Sequence, residues 1–200
     1  DDRFLPKKPM NEERALLEQQ NHFDSIAERY VHELGGEAIH EYYQKMGSDY
    51  VLAALRAHFD DLQKLVGVEL GCGIGETTAF FHELTQKTIG VDFSSEMIQV
   101  ARQRFPQGVF TEAWFHQLPL ANNSADFVFS FGTFHHLLTA EHYQRVLAEA
   151  FRVLRPGGAV LISDINPWNP LTTIISRSQK IDLGNERFFS RREVLPLYRD

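Results

Sequence analysis

Residues 64–165 read as an α/β domain, a doubly wound and mostly parallel sheet with helices on both faces. A helical cap or lid over 1–63 precedes it, and a helical segment over 166–200 follows within the same structural domain. Three observations lead there. After Leu65, short β-rich runs alternate with helical stretches, the pattern of βαβ units. The runs are almost continuously apolar, as in strands covered on both faces. A glycine-rich turn joins the first run to the helix after it, where open α/β sheets build ligand crevices.

The elements follow in order. Residues 1–10 read as an irregular arm, with Pro6 and Pro9 expected to block helix. Phe23, Ile26, Ala27, Tyr30, Val31 and Leu34 repeat with helical spacing, and Gly35-Gly36 stops that helix. Helices over about 37–46 and 50–63 are separated by Gly47-Ser48-Asp49. The strand runs are LVGVEL (65–70), KTIGVD (87–92), GVFTEA (108–113), ADFVFSF (125–131) and GAVLISD (158–164), with helices near 76–85, 95–105 and 139–154. The last helix carries Tyr143, Val146, Leu147, Ala150, Phe151 and Leu154 on one stripe, Thr139 as N-cap, and Pro156-Gly157-Gly158 as terminator. Beyond Asp164 come a Pro-rich loop, a helical stretch near 171–180 and a helix-start signal at Ser190.

Composition narrows the function. Lys and Arg number 20 against 27 Asp and Glu, a formal charge of −7, which repels phosphate backbones and argues against nucleic acid as a partner. One cysteine, Cys72, rules out an internal disulfide framework and a cysteine-cluster metal site, and no metal is expected. No apolar stretch approaches the 18 or so residues that span a bilayer. Without a charged-then-apolar leader the expected location is cytoplasmic, and the expected partner is a small molecule.

The segment VELGCGIGETTAFF (68–81) is the most informative. Gly71, Gly73 and Gly75 let the chain turn sharply and bring backbone N–H groups close to a ligand, just before a helix N-terminus. Asp92 ends the second strand, 21 residues after Gly71, where a carboxylate can accept hydrogen bonds from both ribose hydroxyls. A dinucleotide fingerprint needs a third glycine at position 76, but Glu76 stands there and Glu69 precedes the loop. Two acids are unfavourable beside a pyrophosphate and suit a ligand carrying positive charge. The residues therefore favour a nucleoside without phosphates.

The segments VELGCGIGETT, IGVDFSSEMIQVAR, LPLANNSADFVFSFGTFHHL and EAFRVLRPGGAVLISD resemble the successive motifs of class I S-adenosylmethionine-dependent methyltransferases. They look most similar to the small-molecule group that includes the ubiquinone and menaquinone biosynthesis enzymes. The resemblance covers about residues 65–165, and HFDSIAERY (22–30) resembles the helix that closes over the cofactor in that group. It implies a Rossmann-like fold, S-adenosylmethionine as cofactor and S-adenosylhomocysteine as product. It also implies that Glu69 and the backbone of Gly71, Cys72 and Gly73 hold the methionine half, with Asp92 on the ribose. Phe93 and Met97 would pack beside the adenosine, and Ser130, Phe131 and Gly132 would line the sulfonium.

Two departures stand out. The family's acid for the adenine amino group falls at Trp114, followed by Phe115; Trp114 either stacks on the purine or forms an apolar wall, or Glu112 supplies the acid after a register shift. The family sheet has seven strands, yet strands six and seven are not found here. Either the chain is cut, or its sheet edge is covered by something else, a second copy included.

Methyl transfer from a sulfonium needs positioning more than a base, unless the acceptor carries a proton of high pKa. His135 and His136, just after the fourth strand, are the candidate bases. His22, His32, His40 and His142 are expected on helix surfaces, and Tyr30, Tyr42, Tyr43, Trp168 and Phe189 are aromatic candidates for lid or pocket wall. Two other readings stay open: a nicotinamide-dependent oxidoreductase of the same fold, and a non-catalytic module that binds S-adenosylmethionine or S-adenosylhomocysteine.

Overall fold

A computed structural model describes residues 12–33 and 36–164. Its elements in chain order are α1 (Glu12–Ile26), α2 (Tyr30–Glu33), α3 (Glu37–His58), β1 (Val66–Leu70), α4 (Glu76–Leu84) and β2 (Lys87–Asp92). They continue with α5 (Ser95–Arg104), β3 (Val109–Glu112), β4 (Ala125–Phe131), α6 (Ala140–Val153) and β5 (Leu154–Ser163). The five strands form one sheet in the order β3-β2-β1-β4-β5, with every pairing parallel. The strand order reverses between β1 and β4, and a crevice opens at the carboxyl ends of such strands.

Alternation along the strands decides which layer covers which face. Val68, Leu70, Ile89, Val91 and Val128 point into one core with Phe23 and Ile26 of α1 and Val146, Leu147 and Ala150 of α6. The opposite face carries Phe127 and Phe129 against Val51 and Leu55 of α3 and Phe81 of α4. Burying each such ring contributes about 1.5–3 kcal/mol, so the two faces hold the sheet from both sides.

Helix and strand ends differ from the sequence expectation in instructive ways. Helices were expected over 37–46 and 50–63, but α3 runs unbroken through Gly47-Ser48-Asp49 and stops at His58. Gly47 serves packing: a Cβ there would lie 2.6 Å from Cγ of Phe131, so its absence lets the ring press on the helix. The helix expected from Phe23 starts earlier, at Glu12, and breaks into a 3-10 turn over Ala27–Arg29. The helix ends before Pro156-Gly157-Gly158, but β5 begins at Leu154 rather than at Gly158, and the three residues lie within an irregular register between Ala125↔Leu154 and Phe127↔Ala159. The helical segment expected over 166–200, with Trp168 and Phe189, lies outside the described residues. No helix among the described residues is long and apolar enough to cross a membrane.

Gly67 of β1 pairs with Phe127, whose ring is fully buried and would overlap any Cβ at position 67. Replacement of Gly67 by Ala should destabilise the fold by about 1–3 kcal/mol, read as a lower urea midpoint with an unchanged slope. An unchanged midpoint would show that the ring has room to move.

Candidate functional site

The site grows from the end of β1. Gly71, Gly73 and Gly75 all have positive φ (81°, 49° and 88°), a region that side chains with a Cβ rarely enter. Their surroundings give them different roles. A Cβ on Gly71 would collide with the Thr133 side chain, and one on Gly75 would lie 2.7 Å from the Phe110 ring. Nothing stands within 4 Å of the corresponding point on Gly73, nor on Gly132 after β4, where φ is 64°. Gly71 and Gly75 therefore serve internal packing, whereas Gly73 and Gly132 have open space beside them at the ends of β1 and β4.

Asp92, at the end of β2, fixes the backbone on the Gly73 side. One carboxylate oxygen accepts the Gly73 N–H at 2.8 Å and the other accepts the Ser94 N–H at 3.0 Å. Each oxygen keeps accepting capacity for a further donor. Glu69, buried in mid-sheet, accepts a hydrogen bond from the Thr78 hydroxyl of α4. Burial pushes the Glu69 carboxyl up to about 8, and the nearby Asp92 charge adds to the shift. Burial likewise pushes Asp92 up to about 6, against the lowering effect of its backbone hydrogen bonds from Ser94 and Gly73. Two buried acids held above their ordinary range gain from a cation placed beside them.

Around this centre the other expected residues fall into different places. Cys72 is buried and packs with Ile98, Ala101 and Phe110, and burial pushes its thiol well up, as suits a small filler. Met97 is buried in the core beside Phe93 and Phe115. The Ser130 hydroxyl donates to the Leu70 carbonyl at 2.8 Å, tying β4 to β1, and the Phe131 ring leans on Gly47. Trp114 stacks on Phe93 with centroids 5.2 Å apart and planes 8° apart, and its neighbour on the chain side is the His116 ring at 6.3 Å. Rings that close leave no gap for a purine between Phe93 and Trp114. Glu112 is exposed at the end of β3, directly across from Asp92 in register.

A strap covers the crevice. In α1, Gln20 donates to the Phe93 carbonyl at 2.7 Å, and Gln19 to the His136 carbonyl at 2.9 Å. Asp24 accepts from the Ser94 hydroxyl at 2.6 Å, and Ser94 in turn caps α5 by accepting the Met97 N–H. From α3, His40 and Gln44 reach Glu76 and Thr77 at the start of α4, and Arg104 pairs with Glu76 from α5. His40 and His142 are buried rather than on a surface, because each faces a carboxylate and an aromatic ring: Glu76 and Tyr30 for His40, Glu12 and His116 for His142. Tyr30 and Tyr43 are half-buried. Burial acts to raise the Glu76 carboxyl, but His40 and Arg104 outweigh it and leave Glu76 below its usual range. Its repulsion of a phosphate is thus weaker than the sequence implies.

The two histidines after β4 part company. His136 is buried edge-on to Phe23 of the strap, and burial holds its ring well below the usual range, in the neutral form. His135 meets Asp164, the last residue of the EAFRVLRPGGAVLISD segment and one to which the sequence assigns no role: Nδ1 lies 2.6 Å from Oδ1, and the His135 N–H donates to Oδ2 at 2.7 Å. Only the pairing of β4 with β5 brings them together, 29 positions apart. Among the described residues no group of three or more histidine, cysteine or acidic side chains could hold a metal ion.

Residues 68–162 match the family model of a methyltransferase domain. A demethylmenaquinone methyltransferase from Streptomyces griseus is 30% identical over 169 residues, which cover 80% of this chain and 69% of that protein. This chain belongs to the S-adenosylmethionine-dependent methyltransferase family. A Mus musculus tRNA (carboxymethyluridine(34)-5-O)-methyltransferase is 34% identical over 94 residues, which are 47% of this chain and 14% of that one. This methyltransferase chain spans about half or less of several curated relatives it matches, from 14% to 53% of their length. Its fold is shared with the crystal structure of a SAM-dependent methyltransferase from Thermotoga maritima, at 23% identity and a TM-score of 0.65 over 90% of this chain and 78% of that one.

The raised carboxyls set a pH dependence for the methyltransferase. Unfolded, Glu69 and Asp92 titrate near 4.5 and 3.8; folded, near 8 and 6. Between those values the folded chain keeps protons that the unfolded chain releases, so this contribution to stability falls as pH rises. The melting temperature without ligand should fall from pH 5 to 8, and less steeply in Glu69→Gln. Equal slopes would show that Glu69 keeps its charge when buried.

Proposed function

We propose that this chain is a catalytic methyltransferase domain that binds S-adenosylmethionine at the ends of β1, β2 and β4 and methylates a small molecule. The observation that supports this best is the open backbone at Gly73, set beside the Asp92 carboxylate with Glu69 behind it. The residues present fit the cofactor: a carboxylate at the ribose distance along the chain, glycines that leave room, and buried acids that favour a cation. When bound, the cofactor supplies a methyl carbon on a sulfonium sulfur, a leaving group already activated.

The chain's own residues then have positioning work. Asp92 accepts from the ribose hydroxyls, and Glu69 with Gly71, Cys72 and Gly73 frames the methionine half. Phe93, Met97 and Phe115 would wall the adenosine, with Trp114 part of that apolar wall and Glu112 offering the acid for the amino group. Ser130, Phe131 and Gly132 border the sulfonium. The strap of α1, with Tyr30 and Tyr43 nearby, excludes water and leaves nucleophile and methyl aligned; such alignment contributes roughly 7–11 kcal/mol.

A small acceptor agrees with the S. griseus relative, whose name gives a quinone substrate. The net charge of −7 disfavours a nucleic-acid acceptor here, despite the tRNA enzyme among the relatives. Cytoplasmic residence and pairing of the β5 edge with a second copy belong to the same proposal; β5 borders the described sheet. The comparisons lend no support to the oxidoreductase or to the non-catalytic module.

Titration calorimetry with S-adenosylhomocysteine tests the cofactor assignment. Asp92→Ala should weaken binding by about 1–3 kcal/mol, roughly 5- to 150-fold. NADH should give no heat. Binding of NADH alone, or an unchanged constant in the variant, would overturn the assignment.

A further inference from the structure

We propose that Asp24 of α1 is a positioning residue for the cofactor's ribose: it acts through Ser94 on the Asp92 carboxylate, so that the cover over the crevice also sets how the ribose is held. This rests on the assignment of Asp92 to the ribose and deepens it. The three side chains lead inward from the outer helix. Asp24 Oδ1 accepts the Ser94 hydroxyl at 2.6 Å, and the Ser94 N–H donates to Asp92 Oδ1 at 3.0 Å. Asp24 lies 70 positions before Ser94, so only the seating of α1 on the turn after β2 brings them together.

The hydrogen-bonding capacity of Ser94 makes Asp24 the deciding partner. A serine hydroxyl has one proton to give. Ser94 is fully buried, and its oxygen already accepts the Met97 N–H at 3.1 Å as the cap of α5. A buried hydroxyl proton needs an acceptor, and a carboxylate at this distance is a short, charge-assisted one. The same Asp24 oxygen takes the Glu96 N–H at 3.3 Å in the first turn of α5, where the N–H groups of a helix favour an anion. Gln20, one turn earlier on the same face of α1, donates to the Phe93 carbonyl at 2.7 Å. Residues 93, 94 and 96 are thus each held from α1, while the sheet fixes the Asp92 backbone through the Ala113 N–H on its carbonyl at 2.9 Å.

This hold governs where the Asp92 oxygens point. Oδ2 takes the Gly73 N–H and Oδ1 the Ser94 N–H, so the plane of the carboxylate follows from both donors together. A ribose presents two adjacent hydroxyls, and one carboxylate meets both only while that plane is kept. The Gly73 donor belongs to the glycine loop itself. The Ser94 donor is the one that α1 steadies from outside. Without Asp24, the bond to Oδ1 loses its support while that to Oδ2 stays.

Titration calorimetry on the full chain tests this with two probes, S-adenosylhomocysteine and its 2′-deoxyribose counterpart. The ratio of their dissociation constants reads the ribose contact alone, because a looser fold or a weaker cap on α5 affects both probes alike. The wild type should favour the ribose form by about tenfold or more, the worth of a hydrogen bond to a charged group. Asp24→Ala should lower that ratio by about threefold or more. Asp24→Asn, whose amide oxygen still accepts the Ser94 hydroxyl, should keep it near the wild-type value. Alanine favours helix more than aspartate does, so Asp24→Ala is expected to fold; Asp24→Leu, equally without an acceptor, replaces it otherwise. An unchanged ratio in the acceptor-free variant overturns the proposal, as does an Asn variant that loses the ratio as fully as Ala. A wild type that binds both probes equally is a different failure, that of Asp92 as the ribose ligand. Absence of heat with either probe is the failure of the cofactor assignment, and the role of Asp24 falls with each.

Discussion

The hydrogen bonds from Gly73 and Ser94 to the Asp92 carboxylate are the constraint on which the site's geometry depends. One bond sets the glycine loop after β1 and the other sets the start of α5 after β2, so a single buried side chain registers two βα turns against each other. The connection continues outward. Ser94 caps α5 and donates to Asp24, which makes the strap α1 part of the same network. Loss of the carboxylate would leave buried donors unpaired, and such groups cost more than the net worth of the bonds they made. The atoms proposed to bind the ribose are thus the same ones that order the two turns.

That network also explains why the crevice tolerates two acids. Glu69 and Asp92 are both buried, and the Asp92 charge disfavours that of Glu69. A protein concerned only with stability would place neutral residues there. Their presence is consistent with a site whose electrostatics are completed by a cation, with folding stability yielding to recognition. Glu76 is a different case. Its charge is already matched by Arg104 and His40, so it acts as a fastening between α3, α4 and α5.

The parallel core was legible because strand runs such as ADFVFSF are apolar on both faces and because Gly71 to Asp92 has a spacing with a mechanism. The same letters were silent where one residue type serves two ends. Gly47 looked like a helix stop and is a packing notch for Phe131; Pro156-Gly157-Gly158 looked only like a helix terminator and lies within a strand. In both places tertiary contact overrode local preference. Within the glycine loop, sequence could not tell that Gly71 and Gly75 lean on Thr133 and Phe110 while Gly73 faces open space. Asp164 closes a quoted motif but received no role, because its partner lies in the turn after a neighbouring strand and only the sheet brings them together.

The division of labour across the chain follows from these contacts. The family match covers 68–162, and within that span lie the loop, Asp92, His135 and the strands that align them. Residues outside it supply the cover: α1 holds the carbonyls of Phe93 and His136, and α3 reaches Glu76 and Thr77. A core of this kind can serve acceptors as unlike as a quinone and a tRNA, as the names of the relatives attest, because a sulfonium needs the same cradle whatever receives its methyl group. Acceptor choice then falls to the elements that close over the cradle. The strap contacts the turn bearing His135 and His136 directly, so a shift of α1 also shifts that turn. Cover and chemistry are mechanically joined through the Gln19 bond to the His136 carbonyl, one residue from the ring that Asp164 holds.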